Sequence, residues 1–329
     1  MDLPESCGPV SRRVSEALRA EDRERCHVVL PDEPVLTDRD VQLALWMIYE
    51  LSYRGFDDVD PAAESDPEVV RIRRVLEHRF ERELRKATRG RLAEAPDLPD
   101  IGDQLLSLVQ QEGGPKLSSY LRREATLDEM LDYLRERSVQ QLRESDPQSF
   151  LLPRLEGPAK VALAELQYDE YGGGRPERLH QTLYARALKA AGLDDRYGAC
   201  AGEISGTSLA GANAMSLFAL NRRHLAAGLG HFAAFEGSSV VPSRRIASGI
   251  ERLGLPDDVA AYFLEHVEAD AVHEQVAARD ICGPYVAAHP DQRESVLFGA
   301  VCALHLDDLS GRELLARWRL DTDAEVVAS

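Results

Sequence analysis

The sequence predicts an all-α protein, and three observations lead there. Apolar residues recur at helical spacing almost throughout the 329 residues, with little strand-like alternation outside the short Cys26-His-Val-Val-Leu-Pro segment. The helical stretches are long and joined by short turns rich in Gly and Pro, which is the pattern of a bundle. The 44% hydrophobic content is ample for a packed core, in a chain long enough for one large domain or two modest ones.

In chain order, the first expected helix covers residues 38–55 (DRDVQLALWMIYELSYRG) and the second residues 67–89, before the Pro- and Asp-rich break APDLPDIGD. With that break as the candidate boundary region, the chain divides into an N-terminal helical arm, residues 1–124, and a core, residues 125–329. After Gly113-Gly114-Pro115, Thr126-Leu-Asp-Glu129 has the form of a capping box, in which side chains satisfy the free N–H groups of a helix start. That helix should stop near Asp146-Pro147, because the residue before a proline avoids helical backbone, and Glu144 falls in its last turn. Further helices are expected over residues 158–171, 176–191, 209–236, 257–278 and 292–305. No internal repeat or low-complexity tract interrupts them.

Composition narrows the partners. A net charge of -18 and a pI near 5.0 disfavour nucleic acid and anionic membrane surfaces, which are bound through excess Lys and Arg. A small molecule is the expected partner. The five cysteines, Cys7, Cys26, Cys200, Cys282 and Cys302, are odd in number and form no CxxC pair, which fits reduced thiols. The N-terminal MDLPESCGPVSRR has no apolar signal core, and no apolar run approaches the roughly 18 residues of a membrane span. The expectation is a cytoplasmic protein.

The densest chemistry lies in His266-Val-Glu-Ala-Asp270-Ala-Val-His273. Offsets of four and seven residues, at about 100° each, put His266, Asp270 and His273 within an arc of about 60° on one helix face. Tyr262, Phe263 and Val276 share or border that face, so the triplet should point into an apolar interior, where charge needs compensation. Two imidazoles and a carboxylate suit iron, manganese, cobalt or zinc rather than calcium or magnesium. A hydrogen-bonded or solvated triplet is the plainer reading, and Glu268, on the opposite face, is expected to be solvated. Upstream, Glu170 shares a face with Leu163 and Leu166, and His180 stacks with Leu183, Tyr184 and Ala187, so both should point inward. Between them, Gly172-Gly173-Gly174 either lets two helices approach or is a plain loop. It lacks the spacing and preceding strand of a phosphate-binding loop.

At these residues the chain resembles the haem-oxygenase-like di-iron oxidases and oxygenases, a family of iron-containing redox enzymes. The runs that carry the resemblance are DEYGGGRPERLH, NAMSLFALNRRHLAAGLGHFAAFEGSS and EHVEADAVHEQVA, in that order, and IYELSYRGFDDVD resembles the N-terminal helical region of longer members. The resemblance implies a haem-oxygenase-like bundle of about seven core helices with an N-terminal helical extension. It implies metal ligation by Glu144, Glu170, His180, Glu236, His266, Asp270 and His273, with Glu177 the alternative to Glu170. Glu165 and Asp169 would be supporting residues. The local pattern around Glu144 does not by itself place it on an apolar face. Four carboxylates would balance the four positive charges of two ferrous ions. Haem oxygenase itself is not implied, since carboxylates here fill the space a haem would need.

By the same resemblance, two iron ions, dioxygen as co-substrate and an external reductant, with a redox partner to deliver it, would yield a peroxo-di-iron(III) oxidant. His266, Asp270 and His273 would anchor one side of the centre and Glu144 and His180 the other, with Glu170 and Glu236 as bridging or mobile carboxylates of catalytic importance. The expected activity is N-oxygenation or C–H oxidation of a small amino acid or amine in natural-product biosynthesis. Desaturation, cyclisation or C–C cleavage of an aliphatic amino or fatty acid is the alternative. Arg244 and Arg245, a few residues after Glu236, are candidates to hold a substrate carboxylate as a bidentate pair, against the plainer reading of surface charge. A homodimer, with the arm covering the core or forming the contact, is implied by longer relatives. From other classes, a non-catalytic metal-binding bundle stands against these readings, as does a metal-free relative with a cysteine nucleophile. Cys26-His27 offers the latter little support.

Overall fold

The computed structural model describes residues 1–20, 27–32, 34–111 and 117–328, with the backbone alone at 268–271 and 320–328. Cys26 and Gly113-Gly114-Pro115 lie outside the described residues. The elements are α1 (Pro9–Arg19), α2 (Arg39–Glu50), α3 (Pro67–Ala93), α4 (Ile101–Gln110), α5 (Leu117–Arg123), α6 (Leu127–Gln141) and α7 (Asp146–Ser149). They continue with α8 (Gly157–Glu170), α9 (His180–Ala190), α10 (Gly206–Leu220), α11 (Leu225–Arg252), α12 (Asp257–Gln275), α13 (Gly283–Ala288) and α14 (Arg293–Ala328). A π-helical segment, Val276–Cys282, joins α12 to α13. No strand occurs among the described residues, so the all-α expectation holds.

Local chemistry sets the helix starts. Thr126 Oγ1 accepts from the Glu129 N–H at 3.3 Å while Glu129 Oε2 accepts from the Thr126 N–H, completing the capping box of α6. Asp38, Asp66 and Asp100 cap α2, α3 and α4 in the same manner, their carboxylates accepting from first-turn N–H groups. Helices α1, α4, α5, α7 and α13 were not among the sequence expectations. The helix expected over 209–236 is in fact two. Asn221 ends α10 in extended backbone, its amide donating to the Leu217 carbonyl at 3.0 Å and to Glu77 Oε1 at 2.8 Å. Apolar spacing continues across this break, which hides it. Helix α11 then runs past Glu236 and through Pro242, which leaves the Ser238 carbonyl without its usual helical donor.

Helices α11 and α14 each contribute to all three apolar clusters. The first cluster packs α1, α2 and α3 against α10 and α14 through Trp46, Met47, Phe80, Leu209 and Phe298, so the N-terminal helices share a core with the rest of the chain. A second joins α4, α8 and the π segment, and the third gathers α5, α6, α9 and α12 around Tyr184, Tyr262 and Trp318. Where α11 crosses α14, a methyl at Gly230 would overlap the Val296 carbonyl, and one at Gly299 the Ala227 carbonyl. The two backbones touch because both positions lack a Cβ.

Gly299→Ala should therefore destabilise the protein by about 1–3 kcal/mol or more through overpacking. Gly90→Ala, inside α3 with open space around it, should be neutral or gain up to about 1 kcal/mol. Urea unfolding of both variants checks the pair. His231, buried in α11 against Phe218 at 5.7 Å, has its imidazole pushed down from an ordinary 6.5 to about 4 by burial. Because the unfolded state takes up this proton first, the metal-free protein should lose stability as pH falls from about 6.5 towards 4. The slope should approach about 1.4 kcal/mol per pH unit and be shallower in His231→Gln.

Candidate metal centre

Helix α6 ends at Gln141, so Glu144 stands not in its last turn, as expected, but in the turn leading to α7. There the chain is held firmly. Ser145 adopts φ 68°, a left-handed conformation uncommon outside glycine, and its neighbours account for it. Its hydroxyl donates to Glu170 Oε2 at 2.7 Å, and its carbonyl accepts from Gln167 Nε2 at 2.8 Å. Gln181 Nε2 donates to the Glu144 carbonyl at 2.8 Å. Successive side chains then diverge: Arg143, 2% exposed, reaches Glu50 Oε2 at 3.3 Å and the Ala212 carbonyl at 3.2 Å, while Glu144 turns towards α12.

Glu170 is the last residue of α8 and His180 the first of α9. Gly172, Gly173 and Gly174 between them all have positive φ (85°, 60° and 78°), and a Cβ on Gly172 would collide with the Arg175 carbonyl. This reversal brings His180 Nδ1 to 3.0 Å from Glu170 Oε2.

The buried side chains form two groups of potential ligands, Glu144 with His180 and His266, and Glu170 with Glu236 and His273. Within each group one ligand atom per residue lies within 4.8 Å of the others. His266 and His273, expected to anchor one ion together, fall in different groups. Seven residues of helix separate their backbones by about 10.5 Å along the axis, and here each imidazole faces different carboxylates, His266 facing Glu144 and His273 facing Glu170 and Glu236. Asp270 lies between them on α12, but its side chain is outside the described residues. Glu170 touches both groups: Oε2 faces His180, and Oε1 lies 3.2 Å from His273 Nδ1. Glu236 Oε2 is 3.6 Å from the same nitrogen. Glu177 is exposed on the turn before α9 and does not join; Glu165 is exposed on α8. Asp169, more than half exposed, stands 3.5 Å from His273 Nε2 on the solvent side.

Hydrogen bonds fix the donor atoms. His266 Nδ1 meets the Tyr262 carbonyl at 2.8 Å, and a carbonyl only accepts, so Nδ1 carries a proton, while Nε2, the nitrogen free to ligate, stands 3.2 Å from Glu144 Oε1. Ligating histidines are usually oriented by such a bond. Tyr262 donates to Glu144 Oε2 at 2.8 Å, and burial, then the Glu144 charge, push its phenol well above the usual range, keeping it a donor. Burial opposes the ionised form of Glu170, but the charge of His180 and contacts with His180 and His273 outweigh it and hold the carboxyl well below the usual range. For His180, burial lowers the imidazole and the Glu170 charge more than restores it. His180 Nδ1 is buried without a hydrogen-bond partner. Imidazole nitrogens and carboxylate oxygens about 3 Å apart have the spacing of neighbouring ligands around one ion, so these groups fit a nitrogen- and oxygen-ligated cation.

Other residues stand apart. Arg244 is exposed and Arg245 donates to Ser118 at 3.4 Å; neither meets the two groups. Cys200, Cys282 and Cys302 are buried, and burial pushes the Cys282 thiol up to about 12, which does not suit a nucleophile. Arg143 was not singled out in the sequence. A buried cation beside a candidate ligand was its only signal.

An all-helical bundle that buries two carboxylate–histidine groups defines a class of metal-binding helical proteins. The sequence model of the iron-containing redox enzymes matches residues 131–308, more than half of the chain, and the protein belongs to that family. A nitrosourea synthase from Streptomyces achromogenes subsp. streptozoticus is 31% identical over 136 residues, which is 41% of this chain and 29% of that protein. The chain thus spans less than a third of this relative's length. The fold is similar to that of a CADD-like protein of unknown function from Nostoc punctiforme PCC 73102, with a TM-score of 0.51 and 16% identity over 66% of this chain and 94% of that one.

Arg143→Met should cost about 3–5 kcal/mol, because it leaves Glu50 buried without its cation. Adding Glu50→Gln should recover part of that loss in urea unfolding.

Proposed function

We propose that this protein is a non-haem di-iron enzyme that uses dioxygen to oxidise a small amino acid or amine, in natural-product biosynthesis. One observation carries the reading: Glu170 presents one oxygen to His180 and the other to His273, the position of a carboxylate shared by two ions. Glu144, His180 and His266 would hold one iron, and Glu236 and His273 the other, with Glu170 between them and Asp270 of α12 as a further expected ligand. The irons, when bound, supply the redox chemistry that activates dioxygen with electrons from an external reductant.

The protein's own part is orientation and exclusion of water. Tyr262 fixes the Glu144 carboxylate and, through its carbonyl, the tautomer of His266. Ser145 holds Glu170 Oε2, which leaves Oε1 to face His273. Phe263 and Ile246 keep the approach to the first group apolar. N-oxygenation is favoured over desaturation, because a nitrosourea contains an oxidised nitrogen and the relative that makes one aligns with this chain.

Anaerobic titration with ferrous iron should give two ions per chain. His266→Ala and His273→Ala should each retain about one, and Glu170→Ala should weaken both. Under oxygen and reductant, Glu236→Ala should lose turnover with its helical circular dichroism intact, and label from 18O2 should enter the product. Two irons bound equally by every ligand variant would sink the assignment, and unlabelled product would favour desaturation.

A further inference from the structure

Resting on the metal reading above, this inference concerns how the second group of ligands is held. Glu144 and His266 line an interior cavity, whereas His180 and His273 line an open cleft of about 240 Å³ at the glycine turn between α8 and α9. The His273 ring spans from the buried groups to this cleft. Its Nδ1 faces Glu170 Oε1 at 3.2 Å and Glu236 Oε2 at 3.6 Å, and its Nε2 faces Asp169 Oδ2 at 3.5 Å. Asp169 and Glu170 are consecutive at the end of α8, yet their carboxylates stand against opposite edges of one imidazole. The inner carboxylate is 3% exposed and the outer one 54%.

Other acceptors on the cleft are already engaged. Arg175 and Arg178 can only donate, and Glu265, the other carboxylate there, pairs with Arg178. In the turn, the Gly172 carbonyl accepts from the Arg175 N–H at 3.0 Å and the Gly173 carbonyl from the Tyr168 hydroxyl at 2.9 Å. The same turn steadies Asp169, whose carbonyl accepts from the Gly172 N–H at 2.8 Å. At His266 a backbone carbonyl, that of Tyr262, takes the Nδ1 proton and leaves Nε2 to ligate. At His273 the two nitrogens exchange parts, and the outward acceptor is a side chain.

We propose that Asp169 is the positioning residue of the second group: it accepts the Nε2 proton of His273 and so directs the Nδ1 lone pair to the ion held with Glu170 and Glu236. The consecutive pair Asp169-Glu170 then clamps both edges of the ring, the first residue through a proton and the second through the ion. An outer partner of this kind fixes the tautomer of a ligating histidine and raises its basicity. The first ion, held through His266, owes nothing to Asp169. Its support is main chain, whereas the second ion depends on one exposed side chain that a substitution can remove.

NMR of the full-length protein carrying 15N-labelled histidine tests this without turnover, the His273 ring being assigned from His273→Gln. In the metal-free protein the His273 Nε2 proton should be protected from exchange with water. Asp169→Ala should lose that protection, and Asp169→Asn, whose amide oxygen still accepts, should retain it. Loaded with zinc, the parent should bind the metal through Nδ1 of His273 and through Nε2 of His266. In ferrous titration, Asp169→Ala should weaken the second ion about tenfold or more and leave the first unchanged, with Asp169→Asn in between. Glu165→Ala, exposed one turn earlier on α8, should change neither ion. An unprotected Nε2 proton in the parent, zinc on Nε2 of His273, or equal weakening of both ions in Asp169→Ala would overturn the proposal. A parent that binds neither zinc nor iron, yet shows a protected proton that Asp169→Ala removes, retires the metal reading and keeps Asp169 as the partner of His273.

Discussion

Three carboxylates buried a few ångströms apart constrain everything around them. Each would cost several kcal/mol in an apolar interior if left uncompensated. Tyr262, Ser145 and the three histidines supply hydrogen-bonding and charge partners, and they come from α9, α12 and the turn after α6, so the compensation exists only once the bundle has assembled. The backbone strain at Ser145 is an expense of that arrangement, borne where the turn must aim Glu144 inward.

The N-terminal helices reach the same place by a different route. Glu50, at the end of α2, holds Arg143, and Tyr197 donates to the same carboxylate at 2.9 Å, so α2 stabilises the turn that carries Glu144. On the other side, the glycine crossing sets how closely α14 lies against α11, the helix that carries Glu236. Elements remote from the ligands in sequence thereby fix their geometry.

Much of this was legible beforehand, for identifiable reasons. Helical spacing revealed the fold class, and inward stacking beside Leu163, Leu166 and Tyr184 marked Glu170 and His180. The sequence placed His266 and His273 on one helix face, whereas in the structure they stand beside different carboxylates, because a shared face records angle and ignores rise along the axis. Glu144 had no apolar periodicity to mark it, since it lies on a turn and not a helix. The break at Asn221 is set by its contact with Glu77, a long-range partner that local spacing does not encode. Arg244 and Arg245 follow Glu236 closely in sequence, yet Arg244 is exposed and Arg245 donates to Ser118, so nearness along the chain does not bring them to the buried groups.

The connection from α8 to α9 has a thermodynamic consequence. Three successive glycines in left-handed backbone give up more conformational freedom on ordering than any other residues would, so this closed loop is intrinsically weak. Glu170 and His180 sit at its two ends. Any cation held between them ties the ends together, and its binding energy then counts towards loop closure. By mass action, cation concentration sets the population of the closed loop, and a protease acting there would report occupancy of the site without any spectroscopic signal.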